Sequence, residues 1–469
     1  MRKYRDTPAP QEIAQQQRND TIKQVRTYSL ITPMFGGGVE PARLDEVTVI
    51  RGSEIRGQLR FWWRACRGGQ FGGDCEKMKQ VENFIWGKAY KKGDKTEEHQ
   101  DIVQIAVEAT NSKKVKHLYP FGMPQRNPER QHQPTYDVPQ YAAFPLREKK
   151  QAVFDGISFT LTITFPREKR LEEEVVIQVA NEVKAALWAW ETFGGIGART
   201  RRGFGALRCE SVKEGDDIKS PDLPLAEPAQ TLEWLQKKLE CYVGQATAWP
   251  PDVTHLPVSF VERETCRIVR GNNGANDPTS LWKILVDKLG RFRQMGRISA
   301  GKKVPGRSLW PEPDTIRYLT NQSLKRKDRQ PVLQPPIDKF PRAAFGLPII
   351  FHFKDNKDND RRPDSCNPFG DPRQTVLQEK GFERLASPLI LKPLACQSGN
   401  SIGLAVILAC ARSKPLQLEL KTQQGREGSW EVQAALDEDE ELPLQEQNGG
   451  FRKLITSNTD LLQIFLQYL

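Results

Sequence analysis

The chain has 469 residues, long enough for two or three domains. Hydrophobic residues make up 38% of it, below the roughly 45–50% usual for globular chains, and the formal net charge is +11. No run of about 18 apolar residues occurs, which excludes a membrane-spanning helix from the reading. The positive balance favours an anionic partner such as nucleic acid.

Met1 to Asp20 is polar and Gln-rich and lacks the apolar run of a secretory leader, so the expected compartment is the cytoplasm. The eight cysteines (Cys66, Cys75, Cys209, Cys241, Cys266, Cys366, Cys396, Cys410) show no C-x-x-C spacing. They read as reduced thiols, not a disulfide framework.

Residues 25–35 start as a strand and end at the turn Gly36-Gly37-Gly38. A helix is expected from about Ser53, a plausible N-cap, to Arg67. Its Ile55, Leu59, Trp62 and Cys66 recur at helical spacing and form one apolar stripe. Arg56, Arg60, Arg64 and Arg67 repeat about 120° around the helix, as a solvated face or an anion track. Val103, Ile105 and Val107 alternate with polar or small residues. The clearest strand is 157–165, where Ile157, Phe159, Leu161, Ile163 and Phe165 alternate with Ser and Thr. A helix at about 172–191 follows, then the segment 193–205, then a short strand near 204–210.

This order is the βαββαβ plan of a ferredoxin-like or RNA-recognition module, with 111–150 as an insertion. Residues 211–250, rich in Pro and charge around a short helix at Leu232 to Leu239, read as a linker. A second half carries expected strands at 256–262, 347–353, 388–394 and 403–411, and helices at 279–294 and 459–468. Its similar order suggests a diverged second copy. Segments 320–339, 354–376 and 421–450 read as mobile loops.

Segment 193–205, Phe-Gly-Gly-Ile-Gly-Ala-Arg-Thr-Arg-Arg-Gly-Phe-Gly, is the most informative stretch. Glycines let a backbone bend and let other chains approach closely. Arginine presents a planar fork of donors suited to phosphate. Together they suit a phosphate backbone. Phe61, Trp62, Trp63 and Phe204 lie among these cations and suit either base stacking or core packing, with packing favoured for Trp62.

Other chemistries find little support. Gly195-x-Gly197 begins a dinucleotide fingerprint, but Thr200 replaces its third glycine and the loop follows a helix, not a strand. No Walker A string occurs. Gly72-Gly73-Asp74-Cys75 lacks the second carboxylate that two-metal chemistry needs and reads as a turn. His99, His117, His132, His255 and His352 have no spaced partner, and His352 reads as a core residue in an apolar strand. No cofactor, metal or catalytic residue is assigned.

Ser53-Glu54-Ile55-Arg56-Gly57-Gln58-Leu59-Arg60 resembles the first-helix signature of the RAMP superfamily of CRISPR proteins, and 193–205 resembles its glycine-rich loop. Ile31-Thr32-Pro33-Met34-Phe35-Gly36-Gly37 and Leu59-Arg60-Phe61-Trp62-Trp63-Arg64-Ala65 narrow the resemblance to the first-subunit family of type III-B (Cmr) effector complexes. Arg307 to Pro313, Phe340 to Pro348 and Ala386 to Leu389 are similar to its longer members. The resemblance covers roughly 25–410.

The resemblance implies an α+β chain of two tandem ferredoxin-like (RRM-like, βαββαβ) RAMP domains with long loop insertions. The expected division is a polar tail at 1–24, a first domain at 25–212, a linker at 213–250 and a second domain at 251–469. It implies a non-catalytic RNA-binding subunit that engages guide RNA (crRNA) and target RNA near the guide 3′ end, beside other Cmr-type RAMP subunits. The alternatives are a metal-independent endoribonuclease and a purely architectural subunit. Expected RNA ligands are Arg56, Arg60 and Arg64 on the first helix, and Gly195, Gly197, Arg199, Arg201, Arg202, Gly203 and Gly205 in the loop. In the second half they are Arg291, Arg293, Arg297, Lys302, Lys303 and Arg307.

Overall fold

A computed structural model describes residues 21–38, 45, 48–88, 102–109, 116–118, 138–139, 141–143, 153–171, 175–244, 248–271, 276–299, 302–321, 333–353, 372, 374–422, 428–446 and 450–469. The first half begins with β1 (Thr21–Leu30), α1 (Gly52–Arg67), α2 (Cys75–Trp86) and β2 (Gln104–Ala109). It continues with β3 (Ser158–Pro166), α3 (Val179–Phe193), β4 (Leu207–Glu214) and the short edge strand β5 (Asp217–Lys219). The sheet runs β2–β3–β1–β4–β5, with every neighbour antiparallel. Its first four strands follow the ferredoxin-like order, the two βαβ crossovers placing β3 and β4 on either side of β1.

β3 shows why. Its Phe159, Leu161, Ile163 and Phe165 are buried while Ser158, Thr160, Thr162 and Thr164 are partly exposed, so period-2 patterning sets which face meets the helices. β1 starts four residues earlier than expected because the polar stretch from Thr21 pairs with the end of β3, Thr21 opposite Pro166. α3 is shorter than expected at its start, since Val176 lies in a two-residue strand paired with Arg170. α1 begins at Gly52 with Arg51 as N-cap and no side-chain capping bond, so Ser53 is not the cap. Asp74 does cap α2, accepting from the Lys77 amide at 3.0 Å. The Gly72-Gly73 turn thus leads into a helix the sequence reading passed over.

The second half places α4 (Pro228–Tyr242), β6 (Cys266–Val269), α5 (Pro278–Gln294), α6 (Glu312–Leu319), β7 (Leu389–Ala395), β8 (Ser401–Ile407) and α7 (Leu461–Tyr468) in chain order. β6, β8 and β7 form an antiparallel sheet in that order, and α5 packs on β7 and β8. No fourth strand joins this sheet among the described residues. The expected strand at 256–262 is absent; Cys266–Val269 takes its place. After α5, Gly296–Ser299 and Lys302–Ser308 form a hairpin. At the edges of the expected loops, Thr375–Glu379 and Leu418–Thr422 join Ser429–Val432, inside the 421–450 loop, and Ile349–Phe351 in a four-stranded sheet, and Leu442–Gln445 of that loop pairs with Arg452–Ile455. Residues 354–371 lie outside the described residues.

One hydrophobic core crosses between the halves. Tyr28, Trp62, Phe193 and Leu207 share it with Leu235 and Leu239 of α4 and with Ile390, Leu394, Leu404 and Val406 of β7 and β8. The segment expected to be a linker therefore packs, through α4, into the same core. Leu404 is fully buried there. Leu404→Ala should cost about 2–5 kcal/mol. Calorimetry and near-UV circular dichroism should both show it lowering one shared transition. Two transitions with only one displaced would mean the halves unfold separately.

Candidate nucleic-acid interface

The α1 arginines have protein partners. Arg56 Nη1 donates to the carbonyls of Trp86 at 2.9 Å and Val103 at 3.1 Å. Arg60 Nε donates to Glu82 Oε1 at 2.7 Å, and its Nη1 to the Gly87 carbonyl at 2.7 Å. Arg64 also pairs with Glu82, and Arg67 with Glu182 at 2.7 Å. Glu82 and Glu182 are buried, so both carboxylates depend on these guanidiniums for charge balance. The stripe clasps α2 and α3 instead of lying open as an anion track. Trp63 is buried and its indole N–H donates to Glu182 at 2.7 Å, so this aromatic packs.

Segment 193–205 is similarly engaged. The Gly197 amide donates to Glu54 Oε1 at 2.6 Å, Ala198 to the Phe35 carbonyl at 2.6 Å, and Gly205 to the Pro33 carbonyl at 2.8 Å. Thr32 Oγ1 donates to the Gly203 carbonyl at 2.7 Å and accepts from the Ala206 amide at 2.8 Å. Burial raises the Glu54 carboxyl above its usual range, and the Gly197 amide partly offsets this. Two glycines show what their lack of a side chain serves. At Gly203 (φ 83°) a Cβ would stand 2.5 Å from the Trp282 ring, and at Gly205 (φ 58°) 1.9 Å from the Ile196 carbonyl oxygen. Protein, not a nucleotide, makes both close approaches.

The ring of cations around the loop binds backbone carbonyls of the second half. Arg201 donates to the Ser387 carbonyl, and Arg202 Nη1 to that of Leu389 at 2.8 Å. Trp282 Nε1 of α5 returns a bond to the Arg202 carbonyl at 2.6 Å. The rings of Phe204 and Trp282 meet edge to face at 4.8 Å, so Phe204 also packs. Arg208 donates to the carbonyls of Cys396 (3.1 Å), Gly399 (2.8 Å) and Asn400 (2.7 Å). From β7, Lys392 reaches back to the carbonyls of Gly194 at 2.8 Å and Glu191 at 3.2 Å. Burial pushes the Lys392 ammonium down to about 7, opposed by Glu191. Burial likewise lowers Arg202 to about 9, with Arg293 adding to the effect.

Other cations are less committed. The Arg199 side chain makes no hydrogen bond among the described residues, and its backbone is left-handed at φ 61°. Arg291 is exposed. The Arg293 guanidinium lies over the rings of Tyr141 (5.8 Å) and Phe345 (5.7 Å). The side chains of Arg297, Lys302, Lys303 and Arg307 lie outside the described residues; their backbone forms the 296–308 hairpin. His352 is exposed just past the strand Ile349–Phe351, not in the core. His255 stacks on Trp249 at 4.1 Å. No group of three or more His, Cys, Asp or Glu side chains able to hold a metal is found among the described residues. None of the helices there is long and apolar enough to cross a membrane.

The sequence reading missed Glu54, Glu82, Arg208, Trp282 and Lys392. Lys392 left one signal, a lone charge inside the otherwise apolar run from Leu389 to Ala395. The others carried none, because their partners lie far away in sequence.

A family profile described as the RAMP superfamily matches residues 27–208, from β1 to the start of β4. The chain is similar to CRISPR system Cmr subunit Cmr1-2 of Pyrococcus furiosus, with 27% identity over 197 residues, 39% of this chain and 93% of that protein. It is also similar to Cmr subunit Cmr1-1 of the same organism, with 28% identity over 168 residues, 35% of this chain. The match to Cmr1-1 spans about two fifths (41%) of that relative's length. Among solved structures, the apo crystal structure of Cmr1 from P. furiosus aligns at TM-score 0.43 and 14% identity, covering 87% of this chain and 93% of that one. A chain of the type III-B Cmr-beta complex bound to cognate target RNA aligns at TM-score 0.44 and 13% identity, covering 85% and 96%. Residues 27–208 thus match the RAMP superfamily, and within the chain lie stretches similar to the two Cmr1 subunits of Pyrococcus furiosus.

Lys392 gives the junction a pH dependence with a fixed sign. Its folded-state value, about 7, lies below the 10.5 of a free lysine. Between those values the unfolded chain binds more protons, so this group makes stability rise with pH across the window. Lys392→Met removes the titration. The melting temperature of the variant minus that of wild type should therefore fall, taken with its sign, from pH 7 to pH 9. A difference constant with pH would overturn the assignment.

Proposed function

We propose that the chain is a non-catalytic RNA-binding subunit of a type III-B (Cmr) CRISPR ribonucleoprotein in antiviral defence. It engages guide and target RNA near the guide 3′ end, beside other Cmr-type RAMP subunits, and works in the cytoplasm. The observation that carries this reading is the RAMP match over 27–208, which contains both motifs and the ferredoxin-ordered sheet. The net charge of +11 supports a polyanionic partner.

On this reading the chain holds two RAMP modules. The first is the five-stranded sheet with α1 and α3; the second is β6–β8–β7 with α5 and α7, fused to the first through a common core. The cations assigned to RNA are Arg199, Arg291, Arg293 and the hairpin residues Arg297, Lys302, Lys303 and Arg307. Arg56, Arg60, Arg64 and Arg201 support the fold around them. Guide–target pairing supplies sequence choice, and the protein reads backbone and shape.

The purified full-length chain should bind single-stranded RNA with affinity that falls steeply as salt rises. It should leave guide precursor and target RNA intact with and without EDTA. Filter binding across a salt series and denaturing gels check both. Cleavage products would establish the endoribonuclease alternative. Absent binding at low salt would favour the architectural one.

A further inference from the structure

α5 carries Trp282, Val286 and Arg293 on one face. Spacings of four and eleven residues return to within about 40° of each other at 3.6 residues per turn. Trp282 and Val286 pack in one apolar cluster with Phe204 and Phe35. Tyr141 packs against the same cluster, as does Ala198 beside Arg199, and the Arg293 guanidinium lies over the Tyr141 ring at 5.8 Å, which brings its charge within reach of Arg202. Arg293 Nε is buried and has no hydrogen-bond partner among the described residues. Arg342 shares the place, donating to the Arg293 carbonyl at 2.6 Å, but Glu312 neutralises it at 3.1 Å.

Arg199, Arg202 and Arg293 have no such counter-charge among the described residues. Among the described residues no carboxylate pairs with any of them. The charges acting on Arg202 are Arg293, Arg199 and Arg201, with Tyr141. Arg384 adds a further positive charge beside Arg199. Like charges among aromatic rings in a partly dry junction repel one another and lack solvation. Carbonyl oxygens satisfy some of their donors without cancelling the charge.

We propose that Arg199, Arg202 and Arg293 form an anion pocket where the two halves meet, which takes a phosphate group. The guanidinium fork matches phosphate oxygens, and a bound anion would supply the absent negative charge. Two ligands come from the glycine–arginine loop and one from α5, so the anion ties the halves together and links binding to closure of the junction. That the phosphate belongs to an RNA backbone rests on the proposed function; the pocket rests on the cluster alone.

The test uses the full-length chain, inorganic phosphate, a single-stranded RNA oligonucleotide, and the variants Arg293→Gln and Arg199→Gln. Phosphate should raise the wild-type melting temperature above sodium chloride at equal ionic strength, and should not raise that of either variant. Without phosphate both variants should melt at or above wild type, because each loses an uncompensated charge. Each should also lower the salt slope of RNA binding by about one unit. Saturating RNA should abolish the phosphate effect.

No phosphate shift in wild type, or equal shifts in the variants, would overturn the pocket even where RNA still binds. A phosphate shift that persists under saturating RNA would overturn the RNA backbone as its source. A phosphate shift in a chain that binds no RNA would support the pocket and overturn the RNA-binding reading. If Arg293→Gln does not fold, Arg199→Gln carries the test, since its side chain gives up no hydrogen bond.

Discussion

The docking of β7 and α5 against the glycine–arginine segment is the constraint from which most of the structure follows. Cations of this segment enter a poorly hydrated junction and are met there by backbone carbonyls, not by carboxylates. Arg202 takes the Leu389 carbonyl, Arg201 that of Ser387, and Lys392 answers from the other side through Gly194 and Glu191. These exchanges set the register between the halves. They also explain Gly203, where any side chain would strike the Trp282 ring that donates to Arg202. A carbonyl dipole solvates a guanidinium while leaving its net charge in place, so the junction is held together and remains electropositive.

The sequence revealed the elements better than their meetings. Alternation in Phe159 to Phe165 and helical spacing in Ile55 to Cys66 are local, and both appear in the structure as buried stripes. α2 escaped because its Met78, Val81 and Ile85 sit among charged residues and follow a turn that drew attention to itself. The α4 segment read as a linker because prolines and charge surround it, yet Leu235 and Leu239 reach the core. Composition does not report what a helix packs against. The strands at Thr375–Glu379 and Leu418–Thr422 were hidden for a related reason. Each is short and mixed, and becomes a strand by pairing with a partner distant in sequence.

The candidate site shows the same split more sharply. The residue types in 193–205 were legible; their partners were not. Arginine and glycine together suit a phosphate strand, and they suit equally well a close protein contact lined by carbonyls. Periodicity cannot separate these uses, because it places Arg56, Arg60 and Arg64 on one face without naming Glu82 opposite them. The glycines pose a further ambiguity: room for a ligand and room for Trp282 look alike in sequence.

A basic chain is thus better read by subtraction than by count. Around α1, each buried carboxylate cancels much of the guanidinium charge beside it, and what results is a rigid helix packing with little field. Around the loop no carboxylate among the described residues performs that cancellation for Arg199, Arg202 or Arg293. Residual field therefore concentrates where two halves of the chain touch, not along the helix that carries the most regular row of arginines. Such a placement gives a ligand leverage. An anion bound on an outlying helix face would add affinity and nothing else, whereas one bound at the junction removes repulsion between parts that must stay together. Binding and closure then become one equilibrium, with the strength of their coupling set by how much of the cluster's charge the ligand neutralises.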